Sequence, residues 1–70
     1  MNEDRLLALI DYWIEHNREH EQEFRDWAEK AASSSGEAAQ QLLEAAARMA
    51  EASNCLEKSR QALTRGGKEK

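Results

Sequence analysis

Apolar residues recur along the chain in alternating steps of three and four. In the first half, Leu6, Ile10, Trp13, Asn17, His20, Phe24, Trp27 and Ala31 follow this rhythm, with polar Asn17 and His20 holding two of the positions. In the second half, Leu42, Ala45, Met49, Ala52, Leu56, Ser59 and Leu63 do the same. Both series are heptad seams, the pattern by which one helix face is kept against another. They predict two helices, over about residues 3–32 and 36–65, each about 45 Å long at about 1.5 Å per residue.

The punctuation agrees. Ala31-Ala32-Ser33-Ser34-Ser35-Gly36 is the one cluster of helix breakers before the tail Gly66-Gly67-Lys68-Glu69-Lys70. Asn2 suits an N-cap, with Glu3 and Asp4 at the positive end of the first helix dipole. Ser34 with Glu37 fits a capping box, and Ser35 is a rival cap for the second helix. Gly66 suits the end of that helix, and residues 66–70 read as a disordered polar tail. A turn at about 33–35 makes the helices antiparallel neighbours, the all-α hairpin architecture.

Folding about that turn pairs positions whose numbers sum to about 69. Trp27 then faces Leu42, Phe24 faces Ala45, His20 faces Met49, Trp13 faces Leu56 and Leu6 faces Leu63. Large residues of the first helix meet small ones of the second, which predicts an aromatic helix nested on an alanine-rich one. On this reading Trp27→Ala costs about 3–5 kcal/mol.

One seam is too little for the chain. Ordering a residue costs about 1.5 kcal/mol, equivalent to burying about 60 Å² of apolar surface. Leu7 and Ile14 on the first helix, and Leu43, Ala46, Ala47 and Ala50 on the second, lie off the seam. Leu7, Ile14, Leu43 and Ala50 are therefore expected to form an association face. The expected assembly is a homodimer making a four-helix bundle, with a helical protein partner as the other way to complete it.

Composition narrows the class. The chain has 70 residues, 40% of them hydrophobic, no Pro, no Val and a single Thr, so strand formers are scarce. Seventy residues make at most one domain. The lone Cys55 supports neither an internal disulfide nor a cysteine-rich zinc site, and it reads as a half-buried structural thiol. A redox or enzymatic role for it is the remotest reading. No apolar run reaches the roughly 18–20 residues of a membrane span, and the start MNEDR lacks signal-peptide character. A cytoplasmic location without direct membrane insertion is expected.

Net charge is −4, which argues against nucleic acid as a partner. Residues 3–32 carry nine acidic and four basic side chains, whereas residues 36–65 carry four of each. The first helix is thus the acidic one, with Asp11, Glu15, Glu19, Glu23 and Asp26 along its outer side. Glu21 with Arg25, Asp26 with Lys30, and Glu44 with Arg48 are favourable i,i+4 pairs. Ser33, Ser34 and Ser35 lie in no nucleophile elbow or phosphate loop, and two long helices offer no deep pocket. A non-enzymatic structural or interaction module is expected.

His16 and His20 are the residues with chemistry. Four apart, they project from one helix face, with Glu19 and Glu23 three residues after each. His16, His20 and Glu23 (or Glu19) are the ligand types of Zn²⁺, Ni²⁺ or Co²⁺. The alternative is a polar face in which Asn17 and His20 fix register and oligomeric state. The string is His-Asn-Arg-Glu-His, not the His-Glu-x-x-His of zinc proteases.

The stretch Trp13-x-x-His16-Asn17-x-x-His20-x-x-x-Phe24-x-x-Trp27-Ala28 resembles a family of small uncharacterised prokaryotic helical-hairpin domains. Relatives in that family occur beside histidine-rich segments and nickel or cobalt transport proteins. The resemblance spans Leu6 to Leu56 and implies a helical hairpin with a connection to transition-metal handling. This chain has no histidine-rich run of its own.

Overall fold

The computed structural model describes the backbone of residues 2–69 and the side chains of residues 3–65. Helix α1 runs Asn2–Ala31 and helix α2 runs Gly36–Glu69. Helix formers fill both, and Glu3 and Asp4 in the first turn and Lys30 in the last complement the dipole of α1. The two pack side by side as an antiparallel hairpin measuring 53 × 18 × 11 Å. No helix among the described residues is long and apolar enough to cross a membrane.

The connection shows how the chain stops one helix and starts the next. The backbone N–H groups of Ser34 and Ser35 both donate to the Ala31 carbonyl, at 3.0 and 2.8 Å. Ser35 then caps α2: its Oγ accepts from the Ala38 N–H at 3.1 Å, and its carbonyl accepts from the Ala39 N–H at 3.1 Å. The cap is therefore Ser35 rather than Ser34, and Glu37 acts through its position in the first turn of α2. Backbone helix continues through Gly66 and Gly67 to Glu69, past the expected stop at Gly66. The side chains of Asn2 and of residues 66–69, and all of Met1 and Lys70, lie outside the described residues.

The buried seam is rotated from the expected one. On α1 the buried and half-buried residues are Leu7, Ile10, Ile14, Asn17, His20, Glu21, Phe24, Ala28 and Ala31. On α2 they are Ala39, Leu42, Ala45, Ala46, Met49, Ala50, Ser53, Leu56, Glu57 and Leu63. Ile10 is 3% exposed, Ile14 6%, Ala28 3% and Ala46 0%. Ile10, Asn17, Phe24 and Ala31, like Leu42, Met49, Leu56 and Leu63, hold seam positions as expected. At two alternate positions the buried residue is the next one along, Ile14 for Trp13 and Ala28 for Trp27, whereas at the other two both neighbours are withdrawn from solvent, His20 with Glu21 and Ala45 with Ala46.

Size explains the rotation. Ala28, Ala39, Ala46 and Ser53 are small, and a line of small residues lets two helix axes approach closely. An indole does not fit between such axes, so Trp13 and Trp27 stand on the flank, 39% and 58% exposed. The expectation that the indoles nest between the helices is corrected; the phenyl ring of Phe24 alone is half-buried. Register nevertheless survives. Leu6, Ile10 and Trp13 line one groove with Leu63, Ser59 and Leu56, each pair summing to 69.

Candidate functional site

The rotated seam gives the hairpin two unlike flanks. One is polar and is clasped by ion pairs between the helices. Arg18 Nη2 lies 2.7 Å from Glu57 Oε2, and Arg60 Nε lies 2.6 Å from Asp11 Oδ1. That hydrogen bond is also the largest cause raising the Arg60 guanidinium pKa above its ordinary value. Ile14, Glu15, Arg18, Glu57, Asp11 and Arg60 line the shallow hollow on this side.

The other flank is apolar. Leu6, Trp13, His20 and Trp27 recur every seven residues and form one line along α1, and Leu9, His16, Glu23 and Lys30 form the next. Leu6, Leu9, Trp13 and Trp27 are all exposed. Leu6, Ile10 and Trp13 face Leu56, Ser59, Ala62 and Leu63 across a groove of about 380 Å³. The Lys30 ammonium sits 4.4 Å from the centre of the Trp27 ring rather than on Asp26, which accepts from Gln22 Nε2 at 3.0 Å. The expected pairs of Arg25 with Glu21, at 2.8 Å, and of Arg48 with Glu44 are present.

Of the expected association face, Ile14 is buried within the hairpin seam and Leu7 is half-buried there. Ile14 is therefore not free to carry an association surface. Leu43 is exposed and Ala50 half-buried. With Glu57 they step by seven along α2, the line that reaches the ion-paired flank. Cys55 is exposed rather than half-buried, since it stands one position off the seam residue Leu56.

A ladder of rings climbs α1 where the two lines meet. Tyr12 stacks on His16 with centroids 5.4 Å apart, His16 meets His20 edge-on at 4.5 Å, and His20 stacks on Phe24 at 5.9 Å. The four are spaced i,i+4, which is what superimposes their side chains. His16 Nε2 and His20 Nε2 are 3.1 Å apart. Glu23 Oε1 lies 3.3 Å from the other ring nitrogen of His20, Nδ1. Glu23 therefore stands behind His20 instead of beside both imidazoles, as a common ligand would. Glu19 shares a small hollow with Tyr12, Glu15 and His16. Among the described residues no group of three or more His, Cys, Asp or Glu side chains is arranged to hold a metal ion.

What reasoning from the sequence missed is Glu21, which occupies a seam position with its carboxylate turned to Arg25. It also missed Ser53, whose buried hydroxyl has no hydrogen-bond partner. A charged residue that follows Asn17 along the seam and is flanked by His20 and Gln22 gives no periodic signal of being half-buried.

No solved structure matches the chain. It is 36% identical over 56 residues to an uncharacterized protein of Archaeoglobus fulgidus, an alignment covering 80% of this chain and 90% of that protein. The sequence profile of a domain of unknown function, DUF8180, matches residues 6–63, from the first apolar residue of the flank to the last of α2. The chain belongs to the DUF8180 family.

Proposed function

We infer that the chain is a non-enzymatic interaction module whose occupant is a second copy of itself, docked on the flank of Leu6, Leu9, Trp13 and Trp27. The observation that carries this reading is the exposed apolar line on one side of a hairpin whose other side is polar and ion-paired. Area supports it. The chain exposes 5365 Å², whereas a globular monomer of 8.0 kDa exposes about 4,450 Å². The excess, about 900 Å², is the added surface of an elongated hairpin, enough to supply the ~800 Å² that each partner contributes to an interface of standard size.

The flank also suits a two-fold axis. Its apolar line runs from Leu6 to Trp27, so its midpoint falls near residues 16–17. An axis there sets Leu6 against Trp27 of a second copy, Leu9 against Phe24 and Trp13 against His20, making the patch self-complementary as an isologous contact requires. The four helices then enclose the indoles that one hairpin leaves in water.

Light scattering on the eluting protein, in a chelating buffer at micromolar concentration, tests this. The expected mass is twice 8.0 kDa, falling to the single-chain value in Trp13→Glu with helix content retained. A helical wild-type chain that stays at the single-chain mass contradicts the reading.

A further inference from the structure

We propose that His16 and His20 form a two-imidazole chelate for a borderline divalent metal ion, the class of Zn²⁺ and Ni²⁺, with Glu23 as the residue that positions His20. The first support is distance. Two nitrogens each about 2.0–2.1 Å from one ion, at an angle of 90–110°, stand about 2.9–3.4 Å apart. His16 Nε2 and His20 Nε2 stand 3.1 Å apart. The two rings are held by their neighbours: Tyr12 stacks on the first and Phe24 on the second.

The second support is the tautomer. To offer both Nε2 lone pairs to one ion, each imidazole must carry its proton on Nδ1. On His20, Nδ1 faces Glu23 Oε1 at 3.3 Å. A carboxylate there favours the Nδ1–H form and so leaves Nε2 bare. A carboxylate beside the second ring nitrogen is the placement that orients metal-binding imidazoles. Without metal, the Nε2–H of one ring donates to the bare Nε2 of the other. The pair becomes bidentate when the donor ring moves its proton from Nε2 to Nδ1 by exchange with solvent, so both imidazoles stay neutral and no net proton is released. Imidazole donors suit Zn²⁺ and Ni²⁺ rather than Mg²⁺ or Ca²⁺.

Two protein ligands leave coordination positions for water, or for the same pair on a second copy across the two-fold axis. The chelate itself lies within one helix and does not depend on association.

Calorimetric titration of the full chain with Ni²⁺ and Zn²⁺ tests the site, with helix content followed by circular dichroism. Neither imidazole lies among the fully buried residues, so His16→Ala and His20→Ala are expected to keep the helical signal. Each should weaken binding by at least about tenfold, Glu23→Gln should weaken it by about tenfold, and Glu19→Gln should leave it nearly unchanged. Selective broadening of both imidazole resonances by Ni²⁺ is the second expected readout. One ion per chain and one ion per two chains both support the chelate. No binding, or equal binding by the wild type and the His16→Ala/His20→Ala variant, overturns it. Undiminished affinity in Glu23→Gln overturns the positioning role of Glu23.

Discussion

A few side chains set the stability of the hairpin, and they are not its largest. Ile10 and Ile14 are the bulky side chains among the buried apolar residues, the others being alanines, so Ile14→Ala should cost about 2–5 kcal/mol in denaturant unfolding. An effect near zero would mean that Ile14 is not between the helices. Ser53 makes the opposite case. Its Oγ is buried and unpartnered, a state that costs about 1–3 kcal/mol. Ser53→Ala fits the same space without the hydroxyl and is expected to raise the thermal midpoint. A lowered midpoint would show that the hydroxyl has a partner in the assembled protein. Arg18→Ala, by contrast, removes an ion pair on the surface and should cost no more than about 1 kcal/mol, with the effect shrinking in high salt.

At the scale of the elements, the hairpin was legible and its rotation was not. Alternating three-and-four spacing located both helices, and the serine cluster located the turn. The same spacing cannot choose between neighbours such as Ala45 and Ala46, which are chemically identical, nor between Trp13 and Ile14, since Ile10, Ile14, Asn17 and Ile10, Trp13, Asn17 are both steps of three and four. Close approach of the axes makes the choice, as the helix packing demands small groups at Ala28, Ala39 and Ala46. The histidine pair was legible from its i,i+4 spacing. The place of Glu23 was not, because spacing says that a carboxylate is near but not which ring nitrogen it faces. At the turn, Ser35 Oγ caps α2, so Ser35→Ala should destabilise the chain by about 1 kcal/mol, whereas Ser34→Ala should have a smaller effect. Equal effects in thermal unfolding would return the cap to an open choice.

The whole molecule is a rod whose exposed large apolar residues gather mainly on one side, Leu43 excepted. Its radius of gyration is 16.0 Å, against about 11 Å for a globular chain of this length. A hairpin so extended buries little: Ile10, Ile14, Ala28, Ala39 and Ala46 are its buried apolar residues among those described. Association is the way such a chain gains the burial it lacks, and it makes the thermal midpoint depend on protein concentration. Trp27→Ala should therefore remove most of that concentration dependence while leaving the hairpin seam in place. The most direct test of this account is acrylamide quenching of tryptophan fluorescence across a dilution series, with metal chelated. Trp13 and Trp27 should be shielded at high concentration and become open to the quencher as the protein is diluted. Indoles shielded at every concentration would place them inside the hairpin, and indoles open at every concentration would leave the apolar flank without a second copy; either result contradicts the account.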